Sequence, residues 1–193
     1  MSAPRSLSRR VAGFALVASA CAAAQAAPTA YTTVLPSSTV TFSATQMGVK
    51  MPGRFDRLSA QVDFVPAAPA QSRVSVTVDA ASVNAGSGQT DALLTGTDWL
   101  DAKAYPQARF VSTRFDPAGA GRYWVSGTFT VKGRSQPLRV LVVTHPAGAD
   151  LALDADFTLL RTAFGLGTGS WADTGVVAAA IPVHVHLLVA PKG

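Results

Sequence analysis

The sequence predicts an all-β fold, a single antiparallel domain of eight strands with one short helical segment near residues 90–100. Three observations carry this. Apolar and polar residues alternate with period two along most of the chain, the pattern of strands with one buried face. Clusters rich in Pro and Gly punctuate the runs. Only one stretch resembles a helix. Several short strands with so little helix imply a sandwich or an up-and-down barrel.

The first 26 residues stand apart. Arg5, Arg9 and Arg10 precede an apolar run from Val11 to Ala24, and Ala24-Gln25-Ala26 reads as a small-x-small cleavage site, the layout of a secretory signal peptide cut after Ala26 or Ala27. Cys21 is the one cysteine. Ser19-Ala20-Cys21 also approximates a lipoprotein signal, with Ala18 where Leu is expected, so lipidation at Cys21 is the alternative. No later run of about 18 apolar residues offers a membrane span. The domain itself is assigned to residues 27–193, and the expected location is the periplasm.

The strands follow in order. Val40, Phe42 and Ala44 alternate with Thr39, Thr41 and Ser43; Val62 and Phe64 with Gln61 and Asp63; Val74, Val76 and Val78 with Ser75 and Thr77. Pro52-Gly53 and the segment from Pro66 to Pro69 read as turns. Thr90 to Leu100 is the helical stretch, with Thr90 as a cap, Leu93, Leu94 and Leu100 facing inward and Gly96 interrupting it. Further strands are expected over Arg109 to Phe115, Tyr123 to Val131, Leu138 to Thr144, Leu151 to Leu160 and Val176 to Val189. Pro117 to Gly121, Lys132-Gly133-Arg134 and Pro146-Ala147-Gly148 separate them.

With 193 residues, 48% hydrophobic and 14% charged, the chain suits one domain with a real core. Three of the 16 basic residues and none of the 11 acidic ones precede Ala27, which leaves 13 against 11, a balance of +2. The remaining basic residues are scattered singly, so nucleic acid is not an expected partner. A mature chain without cysteine has no disulfide and must be stabilised by its packed sheet.

Signals for catalysis are sparse. The chain holds no G-x-S-x-G elbow, P-loop or Cys-x-x-Cys pair, and it reads as a binding protein rather than an enzyme. His184 and His186 form a His-x-His pair that a strand would place on one face, a geometry a metal-assisted hydrolase can use. A third ligand is lacking, and Ile181, Val183, Val185 and Leu187 are expected to face inward while the histidines face out. Gly165, Gly167 and Gly169 read as turns or close backbone approaches, with an anion-binding backbone as the alternative.

An abundant aromatic set, with two methionines, either fills a barrel or lines it. Eight strands lie near the size at which both outcomes occur.

Two motifs carry a resemblance. TDWLDAKAYPQARFVS, from Thr97 to Ser112, and GTFTVKGRSQPL, from Gly127 to Leu138, are similar to the D-(F/W)-(F/L)-D-x-x-x-Y-P-x-x-x-F-x-S and G-x-(L/F)-T-(I/V)-x-G-x-(S/T)-x-P runs of the YceI family. Arg161-Thr162-Ala163-Phe164-Gly165 resembles a further motif of that family, with Ala163 where a polar or acidic residue is common. Ser37 occupies the position of a family histidine.

The resemblance, which spans Tyr31 to Ala190, implies a lipocalin-like eight-stranded barrel that holds an isoprenoid or similar amphipathic lipid in an elongated pocket. It makes Phe42, Met47, Phe55, Phe64, Trp99, Phe110, Phe129, Phe157 and Phe164 the expected apolar wall, and Arg161 with the backbone at Gly165 the expected polar end. No cofactor is expected beyond a bound isoprenoid or fatty lipid. A ligand-free structural or stress module stays as a further alternative, and homodimer formation is left open.

Overall fold

A computed structural model describes residues 29–34 and 37–192, so the proposed signal segment and Cys21 lie outside the described residues. Among the described residues, eleven strands and one α-helix occur in order: β1 (Thr29–Thr33), β2 (Thr39–Gln46), β3 (Val49–Phe55), β4 (Leu58–Phe64), β5 (Arg73–Asp79), β6 (Val83–Asn84), α1 (Gly88–Thr95), β7 (Gln107–Pro117), β8 (Arg122–Val131), β9 (Arg134–Ala147), β10 (Asp150–Leu160) and β11 (Ala180–Pro191).

β1, β4, β5, β7, β8, β9, β10 and β11 are joined edge to edge, and β11 pairs back to β1. They form a closed eight-stranded antiparallel barrel, the architecture that the family resemblance implied; the eight strands expected from the alternation included β2 and missed β1, which here completes the ring. Closure leaves the ring without a free edge. β11 is long enough to serve two partners: Val189 to Pro191 pair with β1, and Val183 to His186 pair with β2. The β2–β3 hairpin and β6 thus extend the wall beyond β1 and β4 at one end, called the upper end below. β6 pairs only with β3, which leaves a gap toward β7.

Three features of the sequence read differently once folded. Pro52 and Gly53, expected as a turn, lie inside β3 opposite Ser43 and Phe42. The Phe42 ring covers the missing side chain of Gly53: a Cβ there would sit 2.3 Å from the ring. The turn comes instead at Met47-Gly48, both with positive φ (48° and 80°), as a two-residue type I′ hairpin requires. The helix begins earlier than expected, because the Ser87 side chain, not Thr90, caps it by accepting the Thr90 amide; it ends at Gly96.

A bulge explains β7. Phe110 and Phe115 both pack inward although an odd spacing would place them on opposite faces. The ladder to β8 slips between Ser112 and Arg114, and the extra residue resets the alternation. The buried Ser112 hydroxyl accepts the Val74 amide at 2.8 Å. On β8, Gly127 leaves room for the Phe110 ring and the Val111 carbonyl.

The core has two parts. At the lower end, Phe64, Phe115 and Tyr123 pack with Val62, Val125, Leu151 and Val189. At the upper end, Trp99, Val131, Leu159, Phe164, Leu166, Val177 and Ile181 form a second cluster. Among the described residues, no helix is long and apolar enough to cross a membrane.

Candidate ligand-binding cavity

Between the two clusters runs a cavity of about 250 Å³. Apolar cavities smaller than this, about 150 Å³, already take up aromatic guests and exclude water. The inward residues of the strands form its wall, with Phe42, Phe55, Phe110, Phe129 and Phe157 supplying the rings and Val76, Val140, Leu153 and Leu187 much of the aliphatic surface. Phe115 and Val125 form the floor, backed by the tilted Phe115–Tyr123 pair and the edge-to-face Phe64–Tyr123 pair.

Apart from the indoles of Trp99 and Trp171, only Gln46, Thr90 and Arg109 bring polar side chains to this lining. Gln46 and Thr90 stand at the upper end, where the exposed Met51 and Leu93 also belong to the wall. The cavity therefore meets solvent between the β2–β3 hairpin and α1. Leu93, Leu94 and Leu100 line it, as the sequence predicted.

The expected wall residues divide. Phe42, Phe55, Trp99, Phe110, Phe129 and Phe157 lie on it. Phe64 does not: it packs on Tyr123 beneath the floor, 5.5 Å between ring centres. Met47 stands outside the cavity at the hairpin tip, largely in solvent. Phe164 packs edge-to-face on Phe129, 5.5 Å away, behind the wall.

Arg161 is not a receptor for a headgroup. It is fully buried, and all five of its N–H groups are used on backbone carbonyls. Nε donates to Val177 O and Ala178 O (3.3 and 3.2 Å), Nη1 to Leu166 O and Gly167 O (2.9 and 3.0 Å), and Nη2 to Asp173 O and Val177 O (3.3 and 2.7 Å). Burial pulls its pKa below the ordinary arginine value, and nearby Asp173 acts in the opposite sense. The guanidinium also lies 5.7 Å from the Trp99 ring.

This side chain folds residues 161–178 into a plug at the upper end. Gly165, Gly167 and Gly169 adopt positive φ to make the turns, and a Cβ at Gly167 would lie 2.5 Å from Arg161 Nη1. Gly165 faces the Arg134 guanidinium instead of the cavity. The amides of Gly167 and Thr168 donate to Asp98 O (2.7 and 3.0 Å). Lys132 Nζ links the plug to the segment after α1 by donating to Thr97 O and Gly165 O (2.7 and 3.0 Å). The two sequence motifs and the Arg161 motif thus meet in one structural knot.

His184 and His186 point outward from β11, as the alternation predicted. They sit opposite Asp156 and Asp154 of β10, with Nδ1 to carboxylate distances of 2.8 and 2.6 Å. Among the described residues, no three His, Cys, Asp or Glu side chains are grouped to hold a metal ion.

A model of the YceI-like domain matches residues 31–189. The chain belongs to the YceI-like domain family. It is similar to UPF0312 proteins. One from Vibrio cholerae serotype O1 is 30% identical over 139 residues, covering 72% of this chain and 74% of that one. Another, from Shewanella denitrificans, is 28% identical over 112 residues, and the match spans only 59% of its length.

Among solved structures, Burkholderia cenocepacia BcnA superposes on this YceI-like chain with a TM-score of 0.78 and 40% identity, over 81% of this chain and 98% of BcnA. A polyisoprenoid binding domain from Saccharophagus degradans, implicated in plant cell wall breakdown, has a TM-score of 0.70 over 85% of this chain and 99% of its own. At 17% identity that likeness establishes the shared fold alone.

Proposed function

We propose that this YceI-like protein is a carrier that holds a long isoprenoid, quinone-like or other amphipathic lipid in the barrel, in the periplasm after removal of its signal segment. The observation that carries this reading is the cavity itself: closed below by Phe115, apolar along its length, and bordered by polar side chains mainly at the open end. Each methylene buried there contributes about 0.8 kcal/mol, so a long hydrocarbon needs a dry tube and little polar recognition. The chain enters tail first, and the headgroup rests beside Gln46 and Thr90. The Saccharophagus degradans neighbour, described as polyisoprenoid binding, supports the same class of ligand.

A binding role is favoured over a catalytic one. The histidines that a hydrolase would use stand on the outer face, against Asp154 and Asp156, on the other side of the wall from the cavity. Ala155 offers the test. It lies between Leu153 and Phe157 on the inner face of β10 and lines the cavity. Ala155→Phe should fill the tube and leave a folded barrel that no longer takes up a fluorescent isoprenoid. Undiminished uptake by a folded variant would place the ligand elsewhere.

A further inference from the structure

Seven large hydrophobic side chains are exposed on this protein's described surface, and four of them gather at one place. Met47 (78% exposed), Val49 (61%) and Met51 (39%) stand on the β2–β3 hairpin, and Leu93 (38%) faces the same opening from α1. Met51 and Leu93 also line the cavity. The patch is therefore continuous with the apolar lumen and forms its lip.

Met47 adds a second observation. It occupies a left-handed conformation (φ 48°) that residues bearing a Cβ avoid and that Asn or Gly would normally fill in such a turn. Lys132 adopts the same conformation in the β8–β9 turn, but its ammonium donates to two carbonyls there. The Met47 side chain gains no comparable contact, because it projects into solvent. Backbone anchors hold the tip firmly: the Met47 amide donates to Val176 O at 2.8 Å, and Gln46 bridges to Val177. A strained, well-anchored turn that presents a methionine to solvent is a feature to be explained by what it meets.

The charges on the hairpin itself are of one sign, while Asp91 of α1 and Asp173 of the plug are the acidic groups on the elements beside it. From Thr39 to Phe55 the chain has Lys50 and Arg54 and no acidic residue. Arg54 is paired with Asp56. Lys50, between Val49 and Met51, is exposed and forms no ion pair among the described residues. An apolar tip with one free cation suits the headgroup boundary of an anionic bilayer.

We infer that the β2–β3 tip docks the protein on a lipid surface, inserting Met47 and Val49 at the headgroup boundary with Lys50 against anionic headgroups, so that the cavity opens directly onto the bilayer. This inference rests on the carrier reading for its purpose, and its test is independent of it.

The experiment is flotation of the mature protein with vesicles of phosphatidylethanolamine and phosphatidylglycerol, and with vesicles of phosphatidylcholine alone. The protein should float with the first and less with the second, and Lys50→Gln should narrow the difference. Met47→Asn is the decisive variant. Asn-Gly is the preferred pair for a type I′ turn, so the melting temperature should hold or rise, while vesicle binding falls about tenfold for a lost methionine insertion.

Equal binding by wild type and Met47→Asn, or no flotation of wild type, would overturn the docking role. So would a concentration-dependent dimer, seen by analytical ultracentrifugation and abolished by Met47→Asn, in a protein that does not float. Lipid extracted from the purified protein reads the carrier function separately. Lipid content unchanged in Met47→Asn with lost flotation supports docking, and flotation without any held lipid would retire the carrier reading alone.

Discussion

Replacing Arg161 probes the part of this fold that sequence reasoning misjudged most. Its guanidinium makes six contacts to five backbone carbonyls, and no donor is left for a ligand. Hydrogen bonds from charged groups contribute about 1.5–3 kcal/mol each. Counting only the two shortest, to Val177 O and Leu166 O, gives roughly 3–6 kcal/mol. Desolvation of the charge, the same effect that lowers its pKa, offsets part of this, so a loss of about 3 kcal/mol is expected. For a domain of this size that lowers the melting temperature by about 6–12 °C.

Arg161→Gln and Arg161→Met should both show that fall by calorimetry, and amide exchange should accelerate first in residues 161–178. Discrimination between anionic and neutral lipids should be unchanged in whatever fraction stays folded. A fall of less than about 2 °C, accompanied by selective loss of anionic ligands, would refute the structural role and return Arg161 to the cavity.

Other expectations follow from single contacts. Gly127→Ala forces a Cβ to 2.3 Å from the Val111 carbonyl, which the backbone cannot yield easily, and should cost about 1–3 kcal/mol by denaturant titration. Gly53→Ala meets only the end of the Phe42 ring; that ring can turn into the cavity, so stability should change little while uptake of a bulky isoprenoid falls. Changing His184 and His186 together to Gln removes two His–Asp contacts on the outer face, one exposed and one half-buried, of about 1 kcal/mol each, and should leave folding and ligand content nearly intact; stoichiometric zinc in wild type that disappears in the double variant would contradict this. Hydrogen bonds from Arg54 and then Asn84 hold the Asp56 carboxyl below its ordinary pKa. Its contribution is present above about pH 4 and lost as pH falls through the depressed value, and Arg54→Gln should move the midpoint seen by NMR upward.

Much of the barrel was legible because strands with one buried face announce themselves. β4 alternates without a fault, from buried Leu58 to buried Phe64, and the eight expected strands all correspond to strands in the fold. What escaped was decided by partners distant in sequence. Pro52-Gly53 looks like a turn until Phe42, opposite it, covers the glycine. Met47-Gly48 does not look like a turn, because methionine is an unusual choice for a left-handed position. β11 begins at Ala180, later than its apolar run suggests, because Val177 to Ala179 supply carbonyls and backbone contacts to Arg161.

The cavity wall was legible in kind and only partly by residue. Inward phenylalanines were identifiable from alternation, yet height along the barrel is invisible in a sequence. That height separates Phe110, on the wall, from Phe64, beneath the floor. The bulge at Ser112 then places Phe115 at the boundary between them. Arg161 looked like a polar end because arginine is so often a ligand for anions. Nothing local reveals that five carbonyls surround it.

That the barrel holds a lipid is tested most directly by mass spectrometry of an organic extract from the purified mature protein. An isoprenoid, quinone-like or fatty molecule should be present in amounts comparable to the protein, and absent from Ala155→Phe purified in parallel. An extract without lipid from well-folded protein, together with added isoprenoids that neither raise the melting temperature nor quench Trp99 and Trp171, would contradict it.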